Sequence, residues 1–336
     1  MVRWALVAVL MMSLLAACDY GGQEALPDAT EAAAEQDSRP LMLWAEGLEV
    51  ATGPWPDVAY RAELESPVTA LAVLNHQLLA ATEDGVVRQL IPVQVADGGR
   101  LAPTRQVRLG CRIEAMIGQA RSLWVSYRAC SDESLNVAEM QLPDLKLIRQ
   151  RKIATDHVGP VSMALGEDHL FLLNSDPFEL SRLRQADLTP VGRIDLRQGS
   201  RPSFGHGELL IVNELIWVVD HYRDHLVQVR PQTLTIKLTR SFASMEMPGR
   251  ISSCRLAADQ SHFYCLVGGA LYLGNPQSMQ ARKIQAPTAA SRFLLLADQQ
   301  QIILGATDRS LVLSLQDENE VRWVEQVLPD LIIPIP

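Results

Sequence analysis

The chain has 336 residues, 48% hydrophobic and 21% charged, with 20 glycines, 19 prolines and five cysteines. This composition excludes collagen, a coiled coil and wholesale disorder, and the cysteines are too few for a disulfide-dense miniprotein. A formal charge of −9 with no basic run argues against nucleic acid and leaves proteins, membranes and small ligands as partner classes.

Chain order begins with Arg3, a minimal positive region, and then an apolar stretch from Trp4 to Ala17. That stretch is too short to span a ~30 Å hydrocarbon core comfortably and ends in small residues, as a signal peptide does. Leu15-Ala16-Ala17-Cys18 resembles the lipobox of bacterial lipoproteins. The resemblance implies cleavage before Cys18, diacylglycerol on its thiol and fatty acid such as palmitate on the new amine. It places the chain on the periplasmic side of the envelope, held by lipid rather than by a membrane helix. Asp19 is similar to the inner-membrane retention signal of enterobacterial lipoproteins, so the inner membrane is favoured over the outer. An ordinary cleaved signal peptide with a coincidental cysteine is the alternative.

Residues 18–40 follow as a polar stretch rich in Ala, Glu, Asp and Gln, with two arginines against six acids over residues 1–40. Such a segment buries too little apolar surface to offset its chain entropy, so it reads as a disordered, lipidated tether. Its root-mean-square reach would be ~25 Å.

Residues 41–336 are expected to form the folded body, and they repeat. Short apolar runs recur around Leu79, Trp124, Phe171, Trp217, Tyr264 and Ile303, at spacings of 45, 47, 46, 47 and 39 residues. Each repeat reads as four short strands, and turn-prone residues interrupt the pattern too often for the helices of a helical repeat. The sequence therefore predicts an all-β propeller. The candidate strands at 41–45, 48–52 and 58–64, with another at 331–335, predict a seventh blade made from distant segments. Six blades is the alternative, should residues 41–64 pack as an irregular strap.

The phrase IWVVDHYRDHLVQVRPQTLTI (216–236) resembles blades of the YVTN/NHL-type propellers, a likeness extending over about residues 66–327. The Trp-Asp dipeptide of WD-repeat blades and the docking pattern of quinoprotein dehydrogenases do not occur.

Cys111 and Cys130 are symmetric about one expected hairpin turn, and Cys254 and Cys265 about another. Opposed residues in a hairpin can be bridged, so two intrablade disulfides are expected; free buried thiols are the alternative for Cys254 and Cys265. Metal binding and a bound cofactor are not expected, because there is no Cys-x-x-Cys and the histidines scatter across repeats.

No nucleophile elbow, zinc-protease, phosphate-loop or dinucleotide motif occurs. Arg112, Arg201, Arg250 and Arg292 stand at or just before expected inner strands, and loops on the same face carry Asp84, Asp132, Asp176, Asp220, Asp224 and Asp308. The aspartates cap turns in one reading. In the other, the arginines converge as a fork-donor patch for an anionic ligand or acidic partner segment. Asp220-His221-Tyr222-Arg223 is the densest polar loop and a candidate contact site, since Tyr and Arg are favoured at binding hot spots. The functional expectation is a non-catalytic platform for an envelope protein partner. A propeller enzyme or small-ligand sensor, lactonase-like or binding an anionic sugar in the central channel, is the second reading.

Overall fold

The computed structural model describes residues 41–336 except 55, 96–97, 155–157, 198–206, 213, 258–261, 285–289, 297–299, 307–308, 316–320, 325–327, 330 and 335–336. The signal peptide, Cys18, the tether, Arg201 and Asp308 lie outside the described residues.

The strands form a seven-bladed propeller. Five blades are separate four-stranded antiparallel sheets, at 112–154, 158–195, 207–241, 251–283 and 292–324 (blades 2 to 6). Blade 1, at 68–108, shares an eight-stranded sheet with blade 7. Blade 7 takes its inner strand from Leu331–Pro334 and its other three from Leu41–Glu46, Glu49–Pro54 and Tyr60–Glu63. Met42, Leu43, Trp44 and Ala45 pair with Pro334, Ile333, Ile332 and Leu331. The strap alternative is thereby excluded. Each inner strand touches the next all the way round, including Leu331–Pro334 against Val68–Leu74, so the ring is closed.

Why these residues make blades is visible in the second strand of each. Leu79, Trp124, Phe171, Trp217, Tyr264 and Ile303 all point toward the following blade, into six different apolar clusters. Their neighbours one residue away point to the preceding blade, as Leu78 and Ala80 do toward blade 7. Side chains alternate across a strand, so a segment covered on both faces must be apolar throughout. The seventh cluster joins Leu43, Ala45 and Val50 of blade 7 to Leu78, Leu90 and Leu101 of blade 1.

Between blades 4 and 5, Trp217 lies edge-on to Phe263, with ring centroids 5.5 Å apart. Gly274 pairs with Phe263, and a Cβ there would meet the phenyl ring at 2.0 Å. Only glycine leaves room for that ring.

The turns from third to outer strand share a device absent from the sequence reading. Leu145, Leu188, Leu234 and Met279 hold φ of 50°, 57°, 51° and 57°. A left-handed backbone costs a residue that carries a Cβ ~1–2 kcal/mol. Each of these side chains is buried in the cluster facing the preceding blade, and such burial returns ~1.5–3 kcal/mol.

Blade 1 is irregular. Its third and outer strands, Val86–Val95 and Gly98–Arg108, overrun the others as a long hairpin. At its tip Gly99 and Arg100 pair in parallel with Tyr60 and Arg61, welding blade 7 to blade 1. A Cβ on Gly99 would lie 2.0 Å from the Ala59 carbonyl oxygen, so this approach also needs glycine.

Both disulfides form. Cys254 and Cys265 are direct partners on adjacent strands, Cα–Cα 4.2 Å, and Cys111–Cys130 spans 4.9 Å just outside the strands it joins. The short separation fits a non-hydrogen-bonded pair, which turns the Cys254 N–H away from its partner strand. It donates instead to Glu208 of blade 4, at 2.9 Å. Replacing either pair by serines is expected to cost about 3 kcal/mol, read as a lower denaturation midpoint, with a steeper slope because the unfolded chain is less constrained.

Candidate functional site

Every inner strand begins at the same end of the ring, called here the upper face. The loops between second and third strands open there too. Arg112 and Arg292 are the first residues of inner strands, and Arg250 immediately precedes one. Their surroundings differ. Arg292 donates to the Leu328 carbonyl at 2.8 Å, bracing the link toward blade 7. Arg112 is 55% exposed, its Nε 3.8 Å from Glu114, and Arg250 is exposed.

The aspartates organise turns. Asp220 is buried and its Oδ1 accepts the backbone N–H groups of Tyr222 and Arg223 at 3.0 and 3.1 Å. Asp224 Oδ1 accepts from the Ile251 N–H at 3.1 Å, tying this loop to the start of the neighbouring inner strand beside Arg250. Arg223 folds back, its Nη1 3.4 Å from the Leu196 carbonyl and 3.9 Å from Asp220. Tyr222 is left 49% exposed on a turn whose backbone is fixed.

Two more aspartates are electrostatically held. Burial acts to raise the Asp84 pKa, but the Thr82 hydroxyl, Arg88 and Arg108 outweigh it and hold the carboxyl below its usual value. The Lys152 ammonium, with Ser134, lowers Asp132 from 3.8 to about 2. A depressed carboxyl stabilises the fold above its unfolded pKa, and that contribution fades as pH falls through the folded value. The melting-temperature difference between wild type and Asp132→Asn is therefore expected to shrink as pH falls from 3.8 toward 2.

The sequence reading missed two channel carboxylates. Glu114 and Glu208 lie on inner strands and line, with Ser162 and Arg255, a cavity of ≈ 440 Å³ in the upper channel. Glu114 sits at a register shift in its strand, and its Oε1 takes a hydrogen bond from Arg128 Nε at 3.1 Å. Both side chains are nearly buried, at 6% and 10% exposed. Arg128 also donates to the Gly159 carbonyl of blade 3 at 2.7 Å. Glu208 accepts from the Cys254 N–H and lies 3.3 Å from Arg255, while His221 Nε2 stands 3.8 Å from its other oxygen. The two carboxylates are thus set in cation-rich surroundings that also cover the open edges of inner strands. Deeper in the channel the lining turns apolar, with Ile117, Met163, Leu165, Leu210 and Leu256. A glutamate inside an otherwise apolar run, as in IEAMI and GELLIV, was the available signal.

No protein-family model matches the chain, and no curated protein sequence matches it. Solved structures do. A functionally unknown protein from Desulfotomaculum acetoxidans superposes with a TM-score of 0.64 at 11% identity, covering 88% of this chain and 98% of that one. BamB from Moraxella catarrhalis gives 0.56 at 11% identity, covering 87% of each chain. Sqt1 of Saccharomyces cerevisiae gives 0.58 at 12% identity over 85% of this chain and 83% of its own. At these identities the likeness is one of fold, and the fold is the β-propeller.

Proposed function

We propose that the chain is a lipid-anchored propeller on the periplasmic side of a bacterial envelope, whose upper face binds an envelope protein. The lipobox-like Leu15–Cys18 supports the anchor, Asp19 favours the inner membrane, and two disulfides fit an oxidising compartment. The observation that carries the binding role is Tyr222, an exposed aromatic on a turn that Asp220 has already ordered. A preorganised aromatic anchor contributes contact area at little ordering cost. The exposed Arg112 and Arg250 on the same face supply fork donors for acidic side chains of the partner.

A photo-crosslinking residue at position 222, in cells, tests this. A discrete adduct with an envelope protein is expected, weakened by Asp220→Ala and by Arg112→Ala with Arg250→Ala. No adduct, or one indifferent to all three substitutions, overturns the reading.

The second reading, a small anionic ligand in the channel, is favoured by Arg255, which lines the upper cavity beside Glu208, with His221 Nε2 3.8 Å from that carboxylate. Titration with an anionic sugar tests it, using Arg255→Ala as the control. Heat released by wild type and lost in the variant would support it.

A further inference from the structure

The exposed large apolar side chains are unevenly placed. Leu41 opens the second strand of blade 7, and Val58 lies in that blade's turn from third to outer strand. Ile91 and Val95 are on the overrunning hairpin of blade 1, and Leu147 and Ile148 open the outer strand of blade 2. Strand direction puts these six at the lower end of three consecutive blades, whereas exposed Leu48 and Tyr222 lie at the upper end. Scattered exposed apolar residues need no explanation, but a contiguous rim of them marks an interaction surface.

The same rim carries more basic than acidic groups, although Asp57 is exposed beside Val58. Arg61 and Arg100 stand side by side where blades 7 and 1 pair, and Arg121 and Lys146 lie at the lower end of blade 2. All four are exposed and have no ion-pair partner among the described residues. Asp144, nearby, is taken by Arg105. Further round the same face the charges are mixed, with exposed Glu167 and Asp168 on blade 3 and exposed Glu214 and Arg230 on blade 4. Leu41, the first described residue, lies on this rim.

We propose that the lower rim of blades 7, 1 and 2 rests on the surface of an anionic lipid bilayer. The inference builds on the lipid-anchored reading above. Apolar side chains on exposed turns enter the interfacial region, and neighbouring basic residues are attracted to anionic headgroups. Among the described residues, blades 3 and 4 carry no exposed large apolar side chain at this end, so the ring tilts on its rim and turns its upper face toward the aqueous compartment. Each basic residue near such a surface is worth about fivefold in binding.

Depth quenching tests it. A fluorophore is placed at Val95→Cys, or at Tyr222→Cys as control, in the full chain carried by nanodiscs of phosphatidylethanolamine and phosphatidylglycerol containing nitroxide lipid. In a second arm, the mature-length Cys18→Ser chain, residues 18–336, is mixed with phosphatidylglycerol vesicles containing nitroxide lipid. Quenching at 95 and none at 222 is expected in both arms. In the second arm it should fall with added salt, and each of Arg61→Glu and Arg100→Glu should weaken binding about fivefold or more without changing the melting temperature. A chain that fails to join nanodiscs yet is quenched on vesicles overturns the anchor and leaves the rim standing. No quenching at 95 in either arm overturns the rim. So does a fluorescence change at 95 that tracks protein concentration instead of lipid, which would assign the rim to a second copy of the chain.

Discussion

Trp217→Ala is expected to destabilise the propeller by about 3–5 kcal/mol and lower its melting temperature by on the order of 10 °C. Trp217 is buried between blades 4 and 5, edge-on to Phe263 and packed with Val219, Leu226 and Phe242. Truncation leaves a cavity walled by two sheets that cannot close up, because each is fixed by its other neighbour in the ring. The loss therefore combines transfer energy with a cavity cost. Trp217→Phe keeps most of the ring contact and should cost markedly less. Leu48→Ala, at an exposed turn, should stay within about 0.5 kcal/mol of wild type. Chemical denaturation with tryptophan emission and circular dichroism as paired probes measures all three.

The second large effect concerns the channel wall. Arg128→Ala is expected to cost about 3–5 kcal/mol, because it strands the nearly buried Glu114 carboxylate and releases the Gly159 carbonyl of the next blade. Arg112 lies within 3.8 Å of the same carboxylate but is largely exposed, so Arg112→Ala should cost under about 1 kcal/mol. The contrast separates a buried pair from a solvated one around a shared acid. Replacing both members, Glu114→Leu with Arg128→Met, should recover part of the loss of Arg128→Ala, since no lone charge then remains buried. Equal costs for Arg112→Ala and Arg128→Ala would contradict the assignment.

Blade structure was legible because the second strands face two neighbours and must be apolar on both sides. That constraint made Leu79, Trp124, Phe171, Trp217, Tyr264 and Ile303 recognisable as equivalents. The cysteines were legible for a related reason: symmetry about a hairpin turn is a statement about register. Inner strands were harder to read, since their channel side is only half covered. The inner strand of blade 4, Gly207–Val212, carries Glu208 and did not stand out as an apolar run. The run IEAMI around Glu114 did read as a strand, but the partner of Glu114, Arg128, lies on a neighbouring strand, fourteen residues away.

The weld between Tyr60–Arg61 and Gly99–Arg100 left no local signal either. Parallel pairing between outer strands of two blades depends on how far a hairpin overruns its sheet, and no periodicity encodes that. The left-handed leucines were overlooked because an apolar residue in a polar turn reads as noise. It becomes meaningful only once the preceding blade supplies its pocket. At the upper face the turn-capping role of Asp220 could be inferred from residue type, whereas the different surroundings of Arg112, Arg250 and Arg292 required coordinates.

All of this depends on a ring closed between residues 41–63 and 331–334, which makes each face a single rigid surface. The most direct test is a cysteine trap across that seam, using Ala45→Cys with Leu331→Cys, positions that pair on adjacent strands. Peptide mapping without reductant is expected to find residues 45 and 331 joined by a disulfide in nearly all molecules, with the two native disulfides intact. Free thiols at both positions after oxidation would contradict the closed ring.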